Sequence, residues 1–348
     1  MEKGTQVTNG KAFEYACVLA LYMDLKDTQE ISIVHSSQLE TAQNFYENLD
    51  ESIKVALDSA AHAAVRMIRR LEPQLVYDID GAPLYLSLQV DAEGTKGDVR
   101  DVLCVRKQNE WEIGFSCKHN HHAVKHSRLS ATIDFGKEWF GIPCSKQYFS
   151  EVVPLFMELA VVRDKSKAEG NPALWKDVEN KAEKYYIPIL QSFMDELKRI
   201  AAQNAGIPEA LIRYLLGRND FYKIITDDKS RTTRVEAINT MGTLNKNVGN
   251  HKPITKVPLL KMPTKFYHID FKQGSDNTIE VICDEGWQIS MRIHSASSKI
   301  EPSLKFDVQL ISFPTSIHAQ VEPWDNGDEA KQFGRLTTYE DIYSGFKL

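Results

Sequence analysis

Two segments that alternate apolar and polar residues, Asp101-Val-Leu-Cys-Val-Arg106 and Trp111-Glu-Ile-Gly-Phe-Ser-Cys-Lys118, flank the polar tetrapeptide Lys107-Gln-Asn-Glu110. Period-two alternation broken by so short a polar stretch reads as two antiparallel strands joined by a turn. With the turn centred between Gln108 and Asn109, the register sets Asp101 opposite Ser116 and leaves Lys118 on the same face, one step along. A carboxylate and an ammonium then share one end of a hairpin.

That pairing suits phosphodiester hydrolysis. A carboxylate can hold a divalent cation that polarises a phosphate and acidifies a bound water, while a lysine orients or deprotonates that water. An Asp and a Lys at strand ends are common surface residues, so the pair alone decides little. The residues after Lys118 say more: His119, Asn120, His121, His122, Lys125, His126, Ser127 and Arg128 form a run of donors suited to phosphate oxygens or base edges. The histidines lack the paired cysteines of a structural zinc site, and DNA contact or local hydrogen bonding suits them better.

The rest of the chain supplies the frame for this hairpin. Gly10 to about Leu25 reads as a partly buried helix with Asn9 as its N-cap, and Glu51 to Leu71 as a second helix closed by Arg69 and Arg70. Leu84, Leu86, Leu88 and Val90 alternate as a strand. From Ser150 to about Gly217 the pattern is helical, with Pro188 expected to end or kink a helix. From Phe221 to Trp324 it returns to short extended segments punctuated by glycine and proline.

Composition narrows the class. No run approaches the roughly 18 apolar residues of a membrane span, and Met-Glu-Lys-Gly lacks the apolar core of a signal peptide, so the expected location is the cytoplasm. Five cysteines, odd in number and without a CxxC pair, favour reduced buried thiols over disulfides. A net charge of −6 argues against indiscriminate coating of nucleic acid. Between Lys229 and Lys265, however, Lys229, Arg231, Arg234, Lys246, Lys252, Lys256, Lys261 and Lys265 face only Glu236, and Asn239, Asn245, Asn247 and Asn250 are interleaved with them. That stripe suits a lobe that reads base edges.

Gly97-Asp-Val-Arg-Asp-Val-Leu-Cys-Val-Arg106, followed by Glu112-Ile-Gly-Phe-Ser-Cys-Lys-His-Asn-His-His-Ala-Val-Lys-His-Ser-Arg-Leu-Ser130, resembles the HaeIII family of type II restriction endonucleases. The resemblance extends over much of the chain and is densest between about Gly97 and Gly141. It implies an α/β (α+β) fold: a PD-(D/E)xK restriction-endonuclease-like core over 1–150, a helical section over 151–220, and a mostly β DNA-recognition region over 221–348. It further implies Mg²⁺-dependent cleavage of double-stranded DNA at GGCC between G and C, with 5′-phosphate ends, alongside a methyltransferase of the same specificity.

Carried onto this chain, the first aspartate of the superfamily motif falls on Asp101 or Asp98, Asp101 being favoured because the apolar strand starts directly after it. The lysine falls on Lys118. Ser116 stands where the acid of (D/E)xK belongs and could bond a metal-bound water. Gly10-Lys-Ala-Phe-Glu14 resembles the entry helix of such nucleases, which makes Glu14 the candidate replacement carboxylate beside Asp101 and Asp98. His119, Asn120, His122, Lys125, Arg128, Arg231, Arg234 and Lys246 are the candidate DNA contacts. A structure-directed nuclease on the same core and a catalytically inactive DNA-binding protein stay open as rival readings, as does the choice between a homodimer and a monomer.

Overall fold

The structure is a computed structural model that describes residues 3–78, 81–90, 97–120, 123–125 and 127–324, with the backbone alone at 3–7 and 123–125. Helix α1 (Lys3–Leu25) begins well before the expected start, so Asn9 lies inside it and does not cap it. The periodicity is weak because Ala12, Phe13, Tyr15, Ala16, Cys17, Val18, Ala20 and Leu21 are all buried, leaving little polar face to set a phase. After strand β1 (Ile31–Ile33), helix α2 (Ser37–Glu47) is capped by Ser36, whose hydroxyl accepts from the Leu39 N–H at 3.2 Å. Helix α3 (Glu51–Leu71) matches its expected limits, and the small residues Ala60, Ala61, Ala63 and Ala64 are all buried.

Strands β2 (Leu84–Leu88) and β3 (Val102–Arg106) bury every second residue, as the alternation requires. Strand β4 (Trp111–His119) follows a 3₁₀ turn over Lys107–Asn109. Next come β5 (Ala123–Lys125), β6 (Arg128–Ser130) and helices α4 (Phe135–Phe140), α5 (Lys146–Ala168), α6 (Ile187–Gln203) and α7 (Ile207–Leu216). Pro188 stands where a π-helical turn (Ala182–Tyr186) gives way to α6, a change of helix type at the place the proline marks. It sits in the first turn of α6, and the π-helical turn before it accommodates the missing N–H within a continuous helical path. The chain finishes with β7 (Phe221–Asp227), β8 (Thr232–Ile238), β9 (Phe266–Phe271), β10 (Thr278–Cys283), β11 (Gln288–Ser295), β12 (Ser303–Ser312) and β13 (His318–Pro323).

These elements form a mixed α/β chain with two compact units. The first comprises Met1–His121, Asn219–Leu260 and Ser316–Leu348. Its sheet runs β1-β2-β3-β4-β7-β8-β13, parallel at β1–β2 and β4–β7 and antiparallel elsewhere. Helices α1 and α3 cover one face of it over a core that includes Phe13, Cys17, Ala61, Ile68, Cys104, Phe115, Tyr222 and Val235. The second unit comprises His122–Arg218 and Lys261–Thr315, with helices α4 to α7 and an antiparallel sheet ordered β5-β12-β11-β10-β9, β6 also pairing with β12. Its core holds Phe135, Trp139, Phe193 and Phe306, with Trp139 and Phe193 each in ring contact with the other three.

The units do not follow the three consecutive segments read from the sequence. Strands β7, β8 and β13 return to the first sheet because a parallel partner for β4 needs a long crossover, and local periodicity carries no trace of which distant strand will pair. Among the described residues, no helix is long and apolar enough to cross a membrane.

Candidate active site

The hairpin register is the one the sequence dictates. The β3–β4 ladder runs from Arg106↔Trp111 to Val102↔Phe115, and the Asp101 N–H donates to the Phe115 carbonyl at 2.7 Å, so Asp101 stands beside Ser116. The Asp101 carboxylate accepts through Oδ2 from the Cys117 N–H at 2.7 Å and from the Lys118 Nζ at 3.3 Å. The backbone bond fixes the carboxylate, and the carboxylate in turn fixes the lysine. Burial works against the charge on Lys118, yet Asp101, followed by Cys117 and Glu14, holds its pKa above the ordinary lysine value. Lys118 is therefore a cation in the resting site.

Glu14 arrives from the helix layer. The Cys17 and Cys117 sulfurs lie 3.8 Å apart, which seats α1 on β4, and Glu14 is one turn before Cys17 on the same side of the helix. It is buried, and its Oε2 accepts from the Lys11 Nζ at 3.0 Å. Burial, then the negative charge of Asp101, pushes its carboxyl up to about 8, while Lys11 and Lys118 pull the other way. Asp101, Lys118 and Glu14 therefore share one electrostatic neighbourhood.

The donor set fits a hard divalent cation. Two carboxylates whose charges oppose each other, with a buried serine hydroxyl beside one of them, offer oxygen ligands only. Magnesium is commonly held by one or two carboxylates plus phosphate oxygens, keeping several waters. Among the described residues, no three His, Cys, Asp or Glu side chains converge as a fuller metal site, so two carboxylates are what these residues supply.

Asp98 is not brought to this group. Both its oxygens grip Arg100, at 2.8 Å from Nε and 2.7 Å from Nη2, and Oδ2 also accepts from the Asn219 amide at 2.9 Å. Burial raises its pKa, but Arg100 outweighs that and holds the carboxyl below the usual range. Arg100 reaches on to Glu112 at 2.6 Å. Asp98 is thus committed to a buried ion pair.

The expected DNA contacts scatter. His119 is buried against Asp228 at 3.0 Å, and Asn120, in left-handed backbone geometry (φ 53°), donates to the same carboxylate at 2.7 Å. The two clasp the ends of β4 and β7 together. His119, then Asn120 against some burial, keeps Asp228 below the ordinary aspartate value. His122 lies outside the described residues, as does the side chain of Lys125 on β5. Arg128 is exposed on β6, bonded to Ser303 at 3.3 Å. Arg231 lies over the Trp324 ring at 5.5 Å, and Arg234 is held by Glu236 at 2.7 Å. Lys246 is exposed on the rim of a cavity of about 500 Å³ that Arg100, Asp220 and Thr243 also line. Asn239 and Asn245 spend their amides on backbone partners, including Val257 and Thr255, so they hold loops and do not present base-reading edges.

Sequence reasoning missed Lys223 and Glu236, both 4% exposed and side by side on β7 and β8. The signal was there: Phe221-Tyr-Lys-Ile-Ile is an apolar strand with one lysine inside it.

Comparison with known proteins bears on what this site does. Residues 10–314 match the HaeIII restriction endonuclease family. The chain is 40% identical over 319 residues to the type II restriction enzyme HaeIII of Haemophilus aegyptius, an alignment that covers 91% of this chain and 98% of that relative. No solved structure matches the chain.

Proposed function

The chain belongs to the HaeIII restriction endonuclease family and is a type II restriction endonuclease, and we propose that it cuts double-stranded DNA at GGCC between G and C, leaving 5′-phosphate and 3′-hydroxyl ends. The observation that carries the chemistry is the Asp101–Lys118 pair on adjacent strands with Glu14 beside it. A mixed sheet, with a helix presenting a glutamate to a strand-end Asp and Lys, supports a PD-(D/E)xK core in which α1 carries the acid that Ser116 lacks.

Asp101 and Glu14 would hold Mg²⁺, which when bound polarises the scissile phosphate and acidifies a water. Lys118 orients the attacking water and offsets charge that builds on the phosphate oxygens. Asp101 keeps that ammonium in place, and Ser116 offers its hydroxyl to a water beside Asp101. Arg234, half-exposed on β8, and Arg231 contact the duplex backbone or a guanine edge. A cognate methyltransferase of the same specificity protects the host.

The test is digestion of unmethylated phage DNA with Mg²⁺ or with EDTA, followed by sequencing of fragment ends. All ends at GG/CC support the reading, scattered ends point to a structure-directed or nonspecific nuclease, and no cutting with any divalent metal points to a binding protein. Lys118→Ala should abolish cleavage while leaving GGCC binding in Ca²⁺ intact; a fully active variant would overturn the assignment.

A further inference from the structure

Helix α3 closes on three arginines within one turn, Arg66, Arg69 and Arg70. Cations suit the negative end of a helix dipole, but like charges four residues apart repel, and Arg66 and Arg70 stand at that spacing. Both reach a single carboxylate, Glu322 of β13, Arg66 from 3.5 Å. Arg69 holds Asp24 at 2.8 Å. A guanidinium carries five N–H donors. Among the described residues Arg70 spends only Nη2, on Glu322, and its buried Nε has no acceptor, while Arg69 spends only Nη1, on Asp24.

The three arginines line a cavity of about 380 Å³ together with Tyr77 and Lys252. The loop that carries Lys252 is seated on the helix end. The Ile254 N–H donates to the Arg70 carbonyl at 2.9 Å, and the Asn245 amide to the Leu71 carbonyl at 2.6 Å. Beside Lys252, the His251 ring stacks on Tyr77 with centroids 3.8 Å apart. The loop thus caps the helix, and the arginine side chains are not needed for that task. Lys252 is exposed, and no described residue pairs with it. Four cations therefore line one hollow with two carboxylates in reach, in a chain of net charge −6. Planar donors left unspent amid excess positive charge suit a phosphate, whose oxygens they meet in pairs.

The sheet says where that phosphate lies. Glu322 pairs with Thr233 on β8, Thr233 with Thr226 on β7, and Thr226 with His119 on β4, directly after Lys118. The carboxylate shared by Arg66 and Arg70 thus belongs to the row just past the catalytic lysine, three strand gaps or roughly 14 Å across. It faces α3, on the side of the sheet from which Glu14 also arrives. Along a duplex that distance is about four base pairs at 3.4 Å each. Half of GGCC accounts for the first part of it, so a phosphate at the pocket belongs to the flanking DNA.

We propose that the pocket formed by Arg69, Arg70 and Lys252 binds a backbone phosphate of the duplex just outside GGCC, anchoring the flank whatever its sequence. The inference rests on the nuclease reading above and adds a substrate contact away from the scissile phosphate.

Binding of a GGCC duplex by the full chain in Ca²⁺, followed over a range of salt concentrations, tests this. A second duplex carries neutral methylphosphonates at every linkage outside GGCC. Each phosphate contact steepens the fall of log affinity with log salt by about 0.9. Arg70→Gln and Lys252→Gln should each flatten the slope by about that amount on the all-phosphate duplex and leave it unchanged on the methylphosphonate one. Lys252 has no pairing to lose, so its variant decides the matter if Arg70→Gln fails to fold. Unchanged slopes on the all-phosphate duplex, or equal flattening on both duplexes, overturn the proposal. So does a pocket that takes inorganic phosphate by calorimetry in the parent and not in Lys252→Gln, while both proteins bind DNA alike. A parent chain that neither binds nor cuts GGCC overturns the nuclease reading instead.

Discussion

Asp98 is locked onto Arg100 by both oxygens, whereas Asp101 is only partly buried and shares its Oδ2 between a backbone N–H and Lys118. Removing the first should strand a buried guanidinium, so Asp98→Ala is expected to lower unfolding free energy by roughly 3–5 kcal/mol. Asp101→Ala should change the urea midpoint little and abolish cleavage. Equal midpoints for the two variants would reverse these assignments. Glu14 adds a pH signature. Its carboxyl stands at about 8 in the folded chain against 4.5 as its ordinary value, so the folded state binds the extra proton between those limits. Its stabilising contribution is fully present below about pH 4.5 and is lost as the pH rises through 8. In metal-free buffer the parent should therefore lose stability relative to Glu14→Gln between pH 5 and pH 8.5, and Ca²⁺ should restore part of it. Parallel stability curves for the two proteins would contradict this placement of Glu14.

At the scale of elements, the β3–β4 hairpin was legible in full because its information is local: alternation sets the faces and the polar turn sets the register. Helix α3 was legible close to its limits through its alanine-rich run and closing arginines, while the start of α1 was obscured by burial on nearly every side. Asp101 and Lys118 could be picked out by residue type and spacing, and Glu14 by family resemblance alone; the lone lysine in the apolar strand around Lys223 was visible, but its pairing with Glu236 was not, since the two lie on different strands. His119 takes the local hydrogen bond that was one of the two readings for the histidines, whereas the spread of Asn120, Asn239 and Asn245 into local bonds was invisible, because a polar side chain looks the same whether its partner is DNA or its own chain. One element-level detail invites a test. Gly114 lies where Arg100 crosses β4, and a Cβ there would come within 2.8 Å of the Arg100 Cγ and 2.9 Å of its Cβ. Gly114→Ala should displace Arg100 from Asp98 and Glu112 and cost roughly 1–3 kcal/mol, read as a lowered urea midpoint. An unchanged midpoint would mean that Arg100 yields without loss.

The whole molecule is built from interrupted stretches, the first unit taking its sheet from three separate parts of the chain. A fragment ending at residue 150 keeps β1 to β4 but lacks β7, β8 and β13, so β4 becomes a bare edge with Phe115 and Tyr222's place against it empty. Such a fragment should show no cooperative thermal transition by circular dichroism; a sharp one would mean that the first 150 residues fold alone. The parallel pairing of β4 with β7 also sets a clock. Between His119 at the end of one strand and Phe221 at the start of the other, the ribosome must add about a hundred residues, which at roughly 5–20 residues per second takes on the order of 5–20 s. Through that interval Lys118 has no β7 beside it, and the edge of β4 that carries it stays unpaired until the chain beyond Phe221 is made.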